Sequence, residues 1–173
     1  MGNIPRTGIG PPAVHLPEIG AGRTRGHFYL QVRLRALSRL CYSAGMDRAA
    51  DWLRQAERDL EAARRLAADG YHEWAAFVSQ QSAEKAAKAL VQAKSGSVRG
   101  HSITAILDGL RSAVSVPSAV LDAARDLDQV YVTSRYPNGF ASGSPADYFT
   151  QATSERLIRH AETIVTFCRS QIS

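Results

Sequence analysis

The sequence predicts an all-α protein, an up-and-down bundle of four long helices plus one short helix, and three observations carry that reading. The stretch Trp74 to Lys94, WAAFVSQQSAEKAAKALVQAK, contains no Gly or Pro and is crowded with Ala, Gln, Glu and Lys, which are good helix formers. Apolar residues recur at spacings of three and four in the long segments on either side of it. After Met46 no run alternates apolar and polar residues in the manner of a strand.

The elements follow in chain order. Residues 1–45 hold six of the 21 basic residues and one of the 16 acidic ones, Glu18, which leaves 15 of each sign in 46–173. The sequence pI of about 9.6 therefore belongs to the leader, and the globular part is neutral. Residues 1–27, rich in Gly and Pro from Gly8 to Gly26, are expected to be poorly ordered. Residues 28–42 suit either a short strand or a short basic helix. The Arg-rich, acid-poor leader resembles a transit peptide in composition, and a basic arm suits RNA or anionic lipid. The simpler expectation is that 1–45 is a disordered basic extension and that translation starts at Met46, opening a second unit at 46–173.

Leu53, Ala56, Leu60, Ala63 and Ala67 mark the buried stripe of a first helix from about Asp47, its expected cap, to Asp69. Gly70 stops it and turns the chain into the second helix, so that the two form an antiparallel hairpin. On a helical wheel of that second helix, Gln81, Glu84, Lys85, Lys88 and Gln92 share one sector, while Ala, Leu and Val fill most of the rest. Ser102 caps a short third helix with Ile103, Ile106, Leu107 and Leu110 on one edge. Pro117 opens a fourth, striped by Val120, Ala124, Leu127 and Tyr131 and ended before Pro137. Ser144 and Pro145 read as the start of a long last helix with Ile158, Ala161, Val165, Cys168 and Ile172 inward.

Several of these pieces resemble the HEPN domain family: DWLRQAERDLEAARRL in the first helix, YHEWAAFVSQQSAEKAAKAL across the first turn, GHSITAIL opening the third helix and LDQVYVTSRYPNG ending the fourth. Together they span nearly all of 46–173. The resemblance implies a helical bundle, frequently a homodimer, that acts in nucleotide or RNA transactions. One branch of the family resembles metal-independent ribonucleases, some of them toxins of toxin–antitoxin pairs, whose motif places an Arg, then four to six intervening residues, then a His. Here Arg135 stands at the Arg position, but Phe140, Ala141 and Ser142 occupy the places of the His. The other branch resembles non-catalytic partners of a minimal nucleotidyltransferase, and the sequence RYPN without a following His fits it better. Arg65 with His72 meets the spacing in the wrong place, and His160 is too close to Arg156.

The candidate binding residues are Arg135 with Tyr136, for phosphate and base, and the strip Gln81, Lys85 and Lys88. Each has a structural alternative: an Arg bonded to the last carbonyls of its helix, and a solvated face with a Glu84–Lys88 pair. His101 reads as a loop histidine bonded to a carbonyl. Trp52, Trp74 and Phe77 read as buried, with a dimer interface as the alternative. Tyr131, Tyr136 and Tyr148 around the 137–146 loop make that end the candidate pocket. No His, Cys, Asp or Glu cluster has metal-ligand spacing, and no motif calls for a cofactor. Cys41 and Cys168, far apart and outside any paired motif, read as free thiols of a reducing compartment and a cytoplasmic protein. No apolar run is long enough to span a membrane.

Overall fold

The computed structural model describes residues 42–172, with side chains from Arg48 onward. The readings of 1–27 and, apart from Tyr42, of 28–42 fall outside the described residues. The described chain forms α1 (Tyr42–Ala68), α2 (His72–Ala93), α3 (Ile103–Asp108), α4 (Ser118–Thr133), a 3-10 turn (Pro137–Gly139), α5 (Pro145–Tyr148) and α6 (Gln151–Ile172). Four of these helices are long and there is no strand among the described residues, so the fold is an all-α bundle.

The hairpin α1–α2 turns where Gly70 stands. Gly70 takes φ +84, a left-handed conformation natural to glycine, while its N–H reaches Ala67 O at 3.1 Å and that of Tyr71 reaches Leu66 O at 2.8 Å. Those two bonds satisfy carbonyls that the helix end leaves over. α2 then runs through the middle of the bundle, packed against α1, α6, α4, α3 and α5. Its Ala residues make this possible, because Ala83, Ala86 and Ala87 are fully buried and admit Ala56 and Ala63 of α1 at short range. Ser82 exploits the same closeness by donating to Ala56 O at 2.7 Å. Leu90, Ile106, Leu107, Leu127, Leu157 and Ile164 fill the remaining space, each worth about 2 kcal/mol on burial.

The apolar stripes of the long helices point inward as their spacing predicts, with Ala56, Leu60 and Ala63 of α1, Val120, Ala124 and Leu127 of α4, and Ile158, Ala161 and Val165 of α6 all buried. Two helix starts differ from expectation. α1 begins at Tyr42, so Asp47 lies inside the helix and not at its start. Ser144 and Pro145 begin only the four-residue α5, whose end Phe149 is extended, and the last long helix starts afresh at Gln151. The cap itself is real: the Ser144 N–H and hydroxyl both donate to Asp147 Oδ2, at 2.7 and 2.9 Å. It serves a local turn rather than a helix of six turns.

Candidate functional site

The site is built outward from Ser102, which caps α3 by accepting from Ala105 N at 3.2 Å. Asp128 of α4 completes the anchor. Its carboxylate accepts from Ile103 N at 2.7 Å, Thr104 N at 3.1 Å and the Ser102 hydroxyl at 2.8 Å, which places a negative charge where the helix offers free N–H groups. The loop residue before the cap, His101, is thereby fixed over α2 and α4.

His101 does not bond a carbonyl through its ring. Its Nδ1 lies 3.2 and 3.3 Å from the two oxygens of Glu84, and its ring stacks on Tyr131 with centroids 4.8 Å apart and planes 15° apart. Nδ1 faces the carboxylate, and the side chain is 57% exposed. Glu84 is the hub. It is 4% exposed and also accepts from Lys88 Nζ at 2.7 Å and Gln80 Nε2 at 3.2 Å. Gln80 donates in addition to His101 O at 3.1 Å, and Gln81 Nε2 donates to Gln80 Oε1 at 2.7 Å. A carboxylate this deep is tolerable only with such partners.

Arg135 stands on the other side of the same tyrosine. Its Nε and Nη2 donate to Tyr131 O at 3.0 and 2.8 Å, the helix-end bond expected of an Arg in this place. Its guanidinium lies over three rings, 4.5 Å from Phe77, 4.6 Å from Tyr131 and 5.1 Å from Tyr136. No carboxylate among the described residues pairs with it, so the positive charge is held rigidly, one edge of the fork committed and Nη1 available to an anion. Tyr136 takes the extended geometry that Pro137 imposes, and the chain then folds back so tightly that a Cβ at Gly139 would sit 2.9 Å from Thr133 Cγ2.

Of the sequence-derived residues, the structure brings together Arg135 and Tyr136 directly, and joins Gln81 and Lys88 to them through Glu84, His101 and Tyr131. Lys85 is not part of this group. It turns to α1 and pairs with Asp59 at 2.5 Å. The strip on α2 holds the expected Glu84–Lys88 pair but is no solvated face, since Glu84 is buried and Lys88 and Lys85 retain 16% and 26% exposure. Trp74, read as buried, is 46% exposed at the edge of the cluster, with Phe77 edge-on at 6.2 Å. Trp52 is half-buried with Lys88 near its ring. Tyr148 turns away from the cluster, stacking on Phe140 at 4.0 Å and donating to Ser142 O at 2.6 Å.

Two grooves lie apart from the Glu84, His101 and Arg135 cluster, and the second includes Trp52 and Lys85. One of about 420 Å³ runs between α1 and α6, lined by Arg64, Glu155 and Arg159 among others, and one of about 240 Å³ is lined by Arg48, Asp51, Trp52, Gln55 and Lys85. Two further histidines serve the bundle: His72 Nδ1 meets the Ser154 hydroxyl at 3.0 Å, and His160 Nε2 lies 3.2 Å from the Asp126 carboxylate. Cys168 is a free, buried thiol that burial pushes up to about 12, so it is protonated and inert. Among the described residues no group of His, Cys, Asp and Glu can hold a metal ion, and no helix is long and apolar enough to cross a membrane.

Comparison with known proteins places this arrangement in context. The HEPN domain profile matches residues 49–171. The solved structure of TT1696 from Thermus thermophilus is similar at 36% identity and a TM-score of 0.70, covering 72% of this chain and 98% of that one. ST0689, described as an archaeal HEPN homologue, is 41% identical with a TM-score of 0.63 over 72% of this chain and 98% of its own. A HEPN domain protein, TM0613, from Thermotoga maritima is 34% identical with a TM-score of 0.57, covering 69% and 95% respectively. None of the curated proteins matches the chain.

Proposed function

The chain belongs to the HEPN domain family, and from that premise we propose that it is a non-catalytic nucleotide- or RNA-binding member that works as a homodimer beside a minimal nucleotidyltransferase. The observation that supports this reading is the state of Arg135: immobilised by Tyr131 O, framed by Phe77, Tyr131 and Tyr136, and lacking a carboxylate partner among the described residues. A phosphate oxygen on Nη1 with a base against a neighbouring ring uses each of those features. Gln81 and Lys88 act through Glu84, which braces His101 beside the same ring. Lys85 contributes to the hairpin instead.

Calorimetric titration of the full chain with AMP and ATP tests the binding. Saturable binding is expected, weakened at least tenfold by Arg135→Ala; no heat at millimolar nucleotide would end the reading. Co-expression with a nucleotidyltransferase encoded beside its gene tests the partnership, and a complex that survives gel filtration is the expected outcome.

One observation favours a second reading, a metal-independent ribonuclease. His101 stacks on the ring that Arg135 overlies, which supplies from the start of α3 the base that the segment after Arg135 lacks. The two readings separate in EDTA. Cleavage of single-stranded RNA that is lost in both His101→Asn and Arg135→Ala would replace the non-catalytic reading with this one.

A further inference from the structure

The described residues contain one asparagine, Asn138, and glycine follows it. Both residues are exposed, in the 3-10 turn that opens at Pro137, and Asn138 stands three positions after Arg135. An Asn–Gly pair is chemically labile, because the backbone nitrogen of the second residue can attack the side-chain Cγ of the first. Glycine leaves that nitrogen unshielded and its own dihedral angles free to reach the ring-closing geometry. The turn holds the nitrogen weakly: Gly139 N–H donates to Tyr136 O at 3.4 Å, long for a bond of this kind. The fold also keeps the glycine in place. A Cβ there would sit 2.9 Å from Thr133 Cγ2, and Thr133 is a branched side chain whose hydroxyl is bonded to Gln129 O at 3.1 Å.

We propose that Asn138 is a site of spontaneous modification, converted to aspartate and isoaspartate, and that the new carboxylate weakens anion binding at Arg135; the second half rests on the nucleotide-binding reading above. The bond from Gly139 N to Asn138 Cγ forms, the bond from Cγ to the side-chain nitrogen breaks, and that nitrogen leaves as ammonia with the amide proton. Water then opens the succinimide. Attack at Cγ restores the normal peptide bond and gives aspartate, whereas attack at the backbone carbonyl breaks the original peptide bond and gives isoaspartate, with a methylene added to the main chain. Either product carries one negative charge where Asn138 carries none. Three residues separate the two Cα atoms by at most about 11 Å. Two unit charges that far apart are worth about two- to tenfold in affinity between the limits of water and a protein surface. Isoaspartate also lengthens the turn that places Tyr136 and Gly139 within bonding distance, so its effect is the larger.

The full chain is aged at mildly alkaline pH and digested with trypsin, and the peptide 136–156, bounded by Arg135 and Arg156, is followed by mass spectrometry. The expected result is conversion of its amide to acid, with isoaspartate in excess and labelled by isoaspartyl methyltransferase, while Asn138→Gln stays unmodified. A peptide that keeps its amide throughout overturns the inference. AMP is then titrated against the full chain carrying Asn138→Asp or Asn138→Gln, with circular dichroism confirming that each is helical. Asn138→Asp is expected to bind about two- to tenfold more weakly than Asn138→Gln at low ionic strength. The gap closes in about 1 M salt, where the screening length falls to about 3 Å. Equal affinities at low ionic strength overturn the effect on Arg135, and so does a gap that persists in high salt, because it then comes from an altered turn and not from charge. Failure of every chain to bind AMP overturns the nucleotide-binding reading and the affinity half with it, and the peptide masses decide the modification by themselves.

Discussion

Glu84 and Lys85 are adjacent on one helix and share one polar sector, yet the fold uses them for different ends. Lys85 meets Asp59 across the hairpin in a single ion pair whose members keep 26% and 15% exposure. Glu84, one residue earlier, is buried among Gln80, Lys88 and His101 and connects through Tyr131 to Arg135. A single pair between partly solvated side chains ties two helices at little gain, whereas a buried carboxylate with several donors fixes the position of everything bonded to it. The first is a fastening of the bundle. The second is the scaffold that positions His101 and Tyr131 beside Arg135.

Glu84→Ala is expected to break that contrast most severely. It leaves Lys88 and His101 Nδ1 without their carboxylate, a loss of about 3 kcal/mol in urea unfolding, together with the loss of ligand binding. Glu84→Gln keeps an acceptor oxygen and is expected to cost less in both measurements. Arg135→Ala separates the two quantities: nucleotide affinity falls at least tenfold while unfolding stability falls by about 2 kcal/mol at most, because the side chain hydrogen-bonds only its own helix end and otherwise lies over Phe77, Tyr131 and Tyr136. If Arg135→Ala proved as destabilising as Glu84→Ala, the guanidinium would be part of the framework and not a binding group. Lys85→Ala is smaller again, about 0.5 kcal/mol with ligand affinity unchanged, and a loss of affinity there would erase the distinction between the two residues.

The smallest effect lies at α5. The Ser144 N–H and hydroxyl hold the Asp147 carboxyl below its ordinary value of 3.8. A lowered carboxyl favours the folded cap above the unfolded value, and that contribution is lost as pH falls through the folded one. The protection factor of the Ser144 amide, measured against its intrinsic exchange rate, is therefore expected to fall as pH drops through the lowered Asp147 value, while protection within α2 persists. Simultaneous opening of both would show that the cap and the Glu84 network are one unit.

Much of the bundle was legible because burial and periodicity are the same information: Leu60, Ala63, Leu127 and Val165 fall at helical spacing and are buried for that reason. Gly70 and Ser102 were legible as local chemistry, one supplying positive φ and the other a cap oxygen. Asp47 and Ser144 carried the same kind of local signal and misled, since a cap residue states that a helix can start, not how far the helix reaches. The site was legible only in part. Arg135 and Tyr136 stood out by type and neighbourhood, but Gln80 lay outside the polar sector, and the bonds of His101 to Glu84 and Tyr131 cross 17 and 30 positions of chain. Contacts of that range are set by how α3 is pinned to Asp128, which no spacing encodes. Trp74 also departs from expectation, 46% exposed with Phe77 edge-on beside it, because residue type alone does not say which part of a helix its neighbours cover.

The most direct test of a ligand surface built on Glu84 is backbone and side-chain NMR of the full chain titrated with AMP. Shifts are expected at Trp74, Phe77, His101, Tyr131, Arg135 and Tyr136, fading toward Asp59 and Lys85. Shifts centred on Asp59, Lys85 and Trp52, with the Arg135 end silent, would contradict it.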